Sequence, residues 1–240
     1  MSLLFWVLLA GLAVVLLVAL VLVLTGTKLR TVYVPRDTTV GENAQTLREM
    51  VSKAFPALTE AGVPFVLNGG SAIGYFRYRG VLPNDDDVDV TVPASTNMHK
   101  LALKLRELLP ADYEVEEGVQ ECITKIKWRD GAIDVIQFDD DGLAKGVCRM
   151  FWPNERVNND QFDSRIAVKF EGTDAFVFPD VLKYLENAYP GWRKHVCYQA
   201  PHTSSFFTMV WNKYVVERCS KLTEDEIART EAAIRELNLE

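Results

Sequence analysis

Four aspartates in five positions, Asp85, Asp86, Asp87 and Asp89, stand a short way downstream of Gly69-Gly70-Ser71. Like charges a few ångströms apart cost several kcal/mol where water is scarce, so a folded domain that keeps them close does so for a cation. Carboxylate oxygens suit a hard divalent ion, Mg²⁺ or Mn²⁺. The alternation Asp87-Val88-Asp89-Val90-Thr91-Val92 predicts a strand with both carboxylates on one face, about 7 Å apart at the backbone and able to reach one or two ions. Asp87 and Asp89 are the leading metal ligands, Asp85 is a supporting loop ligand, and Asp86 has the weakest claim of the four. Upstream, Gly69, Gly70 and Ser71 read as a phosphate-binding turn. Free N–H groups at the start of a helix attract phosphate oxygens, and glycine lets a ligand approach the backbone. Arg77 and Arg79, just before the cluster, are candidates for neutralising donor phosphates. Asp134, in a later apolar stretch, is a third carboxylate suitably placed to complete the site and serve as base for an incoming hydroxyl, the alternative being a strand-edge aspartate in an ion pair. Together these residues describe a site for a nucleoside diphosphate and its metal, and the chemistry is phosphoryl transfer by positioning and charge neutralisation.

The elements that must hold these residues read as a mixed α/β fold. Apolar residues at helical spacing (Leu47, Met50, Val51, Ala54, Phe55, Leu58) predict a helix over residues 44–61, bent or split at Pro56. A short strand over 64–67 feeds the glycine turn, and Ser71 is placed to cap a helix to about Tyr78. A helix over 96–108 and strands over 121–128 and 132–138, joined at Asp130-Gly131, follow. Residues 139–164 are irregular and polar. A hairpin over 165–178 with Glu171-Gly172-Thr173-Asp174 at its tip leads to a helix from Pro179 to about Ala188. Thr223 with Glu226 makes a capping box for a last helix.

Residues 3–24 carry no charge, and as a helix this run would span about 33 Å, enough for a bilayer core. It is too long for the apolar stretch of a signal peptide and lacks the polar face of a globular helix. The expected organisation is a single transmembrane anchor over 1–27, a stem over 28–43 and a catalytic domain over 44–240. Lys28, Arg30 and Arg36 after the span would keep that domain cytoplasmic by the positive-inside rule. The net charge of −7 argues against nucleic acid as a partner. Cys122, Cys148, Cys197 and Cys219 have no zinc-ligand spacing and fit either buried thiols or disulfides in an oxidising lumen.

The order strand, Gly-Gly-Ser, helix, Asp-x-Asp strand and later lone aspartate resembles the nucleotidyltransferase superfamily. Within it, Gly70-Ser71, Gly74, Arg77, Gly80, Pro83, Asp85, Asp87 and Asp89 are in register with the LicD branch, which includes fukutin and fukutin-related protein. Asp134-Val135-Ile136 resembles the later aspartate strand of that branch. Val177-Phe178-Pro179 with Tyr189-Pro190-Gly191-Trp192 resembles its closing segment, here rearranged, and Asn84 replaces a usual Trp. The resemblance covers about residues 44–192. It implies transfer of a phosphorylated alcohol, such as phosphocholine or ribitol phosphate, from a CDP-linked donor to a glycan hydroxyl with Mg²⁺ or Mn²⁺. It also implies a domain facing the Golgi or ER lumen in a eukaryotic source, opposite to the charge rule.

Rival readings are an Asp-x-Asp glycosyltransferase using a nucleotide sugar, which would not need the Gly-Gly-Ser turn, and an inactive anchored binding subunit of the same fold. A calcium loop starting at Asp85 would want Gly and Glu where Val90 and Thr96 stand, and is rejected. Lys125 and Lys127 are read as exposed strand residues, His99, His195 and His202 as structural or surface residues, and Tyr189 and Trp192 as core packing.

Overall fold

The computed structural model describes residues 5–6, 9–15, 17, 30–33, 43–83, 85–119, 121–143, 148, 155–198 and 216–239. The chain divides into two compact units, residues 1–36 with 195–221, and residues 37–194 with 222–240.

In the first unit β1 (Arg30–Tyr33), in the segment expected to be a stem, runs parallel to β10 (Val216–Lys221), which pairs antiparallel with β9 (His195–Tyr198). Cys197 and Cys219 face each other in that register and are joined by a disulfide. The run expected to be an anchor lies largely outside the described residues. Phe5, Trp6, residues 9–15 and Leu17 are helical, and among the described residues no helix is long and apolar enough to cross a membrane.

The second unit is built on a five-stranded sheet in the order β2 (Val66–Leu67), β3 (Val88–Val92), β6 (Gly131–Gln137), β5 (Ile123–Trp128), β4 (Glu114–Val119). Only the β3–β6 pair is parallel. Helix α1 (Ala44–Glu60) lays its predicted apolar stripe on the sheet, with Leu47, Met50, Val51, Phe55 and Leu58 fully buried. Pro56 neither ends nor splits it. Its ring faces solvent while Phe55, Ala57 and Leu58 on either side are buried, and that burial holds the turn despite the missing N–H. The β5–β6 turn falls one residue earlier than expected, on Arg129-Asp130, with Arg129 at φ 52°. Gly131 belongs to the strand, where a Cβ would come within 2.7 Å of Met50 Sδ under α1. β4 went unpredicted because it is an edge strand bearing Glu114, Glu116 and Glu117, with Val115 its one buried side chain.

Helices α2 (Gly69–Tyr78), α3 (Met98–Leu108), α4 (Val181–Ala188) and α5 (Glu224–Glu236) complete the unit with the hairpin of β7 (Ile166–Phe170) and β8 (Thr173–Val177). The hairpin turns on Glu171 and Gly172, both at positive φ (49° and 74°). Its tip is also a plug. Glu171 Oε1 accepts from the Val81 N–H at 2.9 Å and from Arg48 Nε at 3.4 Å, so tightly against Gly80 that a Cβ there would lie 2.0 Å away. The capping box of α5 is present as expected, and Glu226 also receives the Tyr78 hydroxyl. Cys122 and Cys148 form a disulfide.

Candidate active site

The parallel register of β3 and β6 sets Asp89 directly beside Asp134. Asp87, just ahead of β3, completes the trio, and carboxylate oxygens of Asp87, Asp89 and Asp134 all lie within 4.8 Å of one another. Two oxygens bound to one divalent ion at about 2.1–2.4 Å can be no more than about 4.2–4.8 Å apart, so these three carboxylates lie within reach of a shared cation. Asp85, Asp86 and Asp87 form a second group at the same spacing, with Asp87 common to both. The expected ligand set of Asp85, Asp87 and Asp89 is thus redistributed. Asp134 joins Asp87 and Asp89, while Asp85 stands in the other group with the exposed Asp86.

The electrostatics match that crowding. Asp87 and Asp134 are buried, and Asp85 and Asp89 are partly exposed. Burial, and then the charges of Asp87 and Asp86, push Asp85 up to about 8. Burial, followed by Asp87, Asp134, Asp85 and Glu155, raises Asp89 well above the usual carboxylate range. A divalent cation would relieve both.

The glycine turn lies against these carboxylates. α2 starts at Gly69 rather than after Ser71, and its N-cap is Asn68 in an extended conformation with no side-chain cap. Ser71, expected to be the cap, uses its Oγ to accept from the Asp89 N–H at 2.8 Å. The Asn68 N–H donates to the Asp89 carbonyl at 3.1 Å, so both backbone polar groups of Asp89 are tied to the turn. A Cβ on Gly70 would sit 2.6 Å from Asp85 Oδ2, and one on Gly69 (φ 48°) would sit 3.3 Å from Asp89 Oδ2. The glycines make room for the acidic residues as well as for any ligand.

Arg77 and Arg79 both have partners within the fold. Arg77 is almost fully buried and donates to the Trp192 carbonyl, fastening the closing segment to α2, where Phe76 packs on Trp192. Arg79, at the left-handed C-cap of α2, pairs with Glu236 on α5 and lies over Tyr75. Each therefore has a structural partner, the Trp192 carbonyl for Arg77 and Glu236 for Arg79.

Two residues were missed. Lys125 Nζ lies 3.0 Å from Asp134 Oδ1 across the β5–β6 ladder. Counting back from a two-residue turn pairs 128 with 131 and therefore 125 with 134, so the hairpin carried that signal. Glu155, in the irregular stretch 139–164, carried none. It is buried and accepts from Tyr189 Oη at 2.8 Å, Tyr184 Oη at 3.0 Å and Asn68 Nδ2 at 3.4 Å. Tyr184 Oη in turn accepts from the Gly69 N–H at 3.1 Å. Burial, and then the Glu155 charge, push both tyrosines well above the ordinary phenol range, so they remain donors. Trp192 packs in the core as expected, whereas Tyr189 puts its hydroxyl into this network. An open depression of about 500 Å³, lined by Ala61, Pro64, Pro93, Thr96, Lys100 and Lys104 among others, contains none of the carboxylates.

Two bacterial proteins resemble this chain. It is 20% identical to an uncharacterised protein of Rickettsia typhi over 68% of this chain and 51% of that one, and 22% identical to one of Rickettsia prowazekii over 68% and 61%. The chain therefore spans about half to three fifths of the length of the curated relatives it matches. Among solved structures it is similar to the antibiotic-resistance factor ANT(2'')-Ia (15% identity, 81% of this chain and 85% of that one, TM-score 0.38). It is also similar to an antigenic nucleotidyltransferase-like protein from Paracoccidioides brasiliensis (20% identity, 59% and 63%, TM-score 0.37). The family model of the LicD/FKTN/FKRP nucleotidyltransferase domain matches residues 62–187, from the glycine turn through the aspartates to α4, and the chain belongs to that family.

Proposed function

We propose that this protein is a metal-dependent phosphotransferase that moves a phosphorylated alcohol from a CDP-linked donor to a glycan hydroxyl. The observation that carries the reading is the register placing Asp89 beside Asp134, with Asp87 within 4.8 Å, under the Gly69-Gly70 turn. Asp87, Asp89 and Asp134 would hold Mg²⁺ or Mn²⁺, with Asp85 and Asp86 available to a second ion through the shared Asp87. Such an ion supplies charge neutralisation for the transferring phosphoryl group. The turn at Gly69 and Gly70 would take the donor phosphates, with the Gly69 N–H already given to Tyr184 Oη. Asp134 would complete the cation's ligand set, and the Lys125 ammonium 3.0 Å from it balances its charge. The apolar run of residues 3–24 supports a membrane anchor, and the disulfides support a domain in an oxidising compartment, the Golgi or ER lumen in a eukaryotic source.

The test is Mn²⁺-dependent release of CMP from CDP-choline, CDP-ribitol and CDP-glycerol by the full chain, with a glycan acceptor present. CMP release that disappears in excess chelator supports the reading. Release of an intact nucleoside diphosphate from a nucleotide sugar would replace it with a glycosyltransferase.

A further inference from the structure

Glu155 lies outside the aspartate cluster, yet its hydrogen bonds lead to the glycine turn, which together with the β3–β6 register places Asp89. Its Oε2 accepts from Tyr184 and Asn68 and its Oε1 from Tyr189. Tyr184 passes the connection to the Gly69 N–H, and Asn68 is the N-cap of α2. Asn68 and Ser71 in turn hold the carbonyl and the N–H of Asp89. Tyr189 Oη lies 3.0 Å from where a Cβ of Gly69 would stand, on the same glycine whose Cβ would meet Asp89 Oδ2. A carboxylate acts only as an acceptor, so it can orient several hydroxyl and amide donors at once, and a neutral side chain at this position would reverse at least one of those bonds.

We propose that Glu155 is the positioning residue of the cation site, orienting Asp89 through the Tyr184–Gly69 and Asn68 hydrogen bonds and locking the Tyr189 end of the closing segment onto the same turn. Removing the charge or either phenol hydroxyl loosens the glycine turn and, with it, the spacing between Asp89 and its partners, without touching a metal ligand. The inference rests on the cation-site reading above, and cation binding rather than turnover separates the two.

The experiment is Mn²⁺ titration of the full-length protein, followed by electron paramagnetic resonance well below the melting temperature. Wild type, Glu155→Gln, Tyr184→Phe, Tyr189→Phe and a Glu155→Asp rescue variant are compared. The expected result is about tenfold or greater weakening for Glu155→Gln, in line with losses at partners that orient metal ligands. The tyrosine variants should weaken binding by smaller factors, and Glu155→Asp should restore part of the affinity. Variants that melt earlier but bind Mn²⁺ within twofold of wild type would reduce Glu155 to a fold-stabilising residue and overturn the inference. If Glu155→Gln fails to fold, the single-hydroxyl variants carry the same test. Wild-type protein that takes up no Mn²⁺ at millimolar concentration would overturn the cation site itself and this inference with it.

Discussion

Asp89 and Glu155 are carboxylates of the same compact unit, and their surroundings answer their charge in opposite ways. Burial, and then the charges of Asp87, Asp134, Asp85 and, last, Glu155 itself, drive the Asp89 carboxyl toward the protonated form. Around Glu155 stand two phenol hydroxyls and an amide, all donating. The first arrangement stores repulsion that a cation relieves, so it is built for a ligand at some cost to the empty fold. The second is a satisfied network that stabilises the fold without a ligand. Burial alone therefore does not mark an acid that holds the cation, and the sign of the neighbours does.

The sharpest way to break this contrast is to neutralise one member of each set. Asp89→Asn should lower CMP release by about a thousandfold, the order of loss when several kcal/mol of charge stabilisation disappears. Its melting temperature without metal should stay level or rise, because a like charge has gone. Activity kept in that variant would remove the cluster from the chemistry. Glu155→Ala is expected to do the reverse to the fold. It leaves three donors, buried Asn68 and Tyr184 and half-buried Tyr189, without their acceptor, so a loss of about 3 kcal/mol, roughly 6–12 °C in calorimetry, should follow.

A pH series sharpens the same comparison. The carboxyl of Asp85 moves from 3.8 to about 8 on folding, so between those values the native state holds more protons than the unfolded chain. Stability from this group is fully present below about pH 4 and lost as pH rises toward 8. Thermal melts in chelator should accordingly fall by several degrees between pH 5.5 and 8, and Mn²⁺ should flatten the slope. A slope unchanged by Mn²⁺, or one of opposite sign, would mean the acids are not the source. The smallest effect belongs to Arg79→Ala, which removes a partly exposed ion pair with Glu236. It should change stability by no more than about 1 kcal/mol. The donor KM should stay constant, whereas a rise of tenfold would return Arg79 to the phosphate site.

Much of this was legible in the residues, and the gaps have physical causes. The alternation around Asp87 and Asp89 identified β3 and its acidic face because a half-buried strand repeats every two residues. The stripe of α1 was equally readable, yet Pro56 misled because burial on both sides outweighs one lost hydrogen bond. β4 escaped because an edge strand with three glutamates has little apolar pattern to show. Arg77 looked like a phosphate ligand from its place before the aspartates. Its helix instead turns it into the interior, against the Trp192 carbonyl.

By itself the sequence determined the glycine turn, the Asp-x-Asp strand and the later aspartate, since each depends on local spacing and on the chemistry of a few side chains. Only the tertiary structure decided that Asp134 rather than Asp85 shares a group with Asp87 and Asp89, and that Glu155 adjoins them. Those choices follow from strand register and from contacts between segments dozens of residues apart, which no local period encodes.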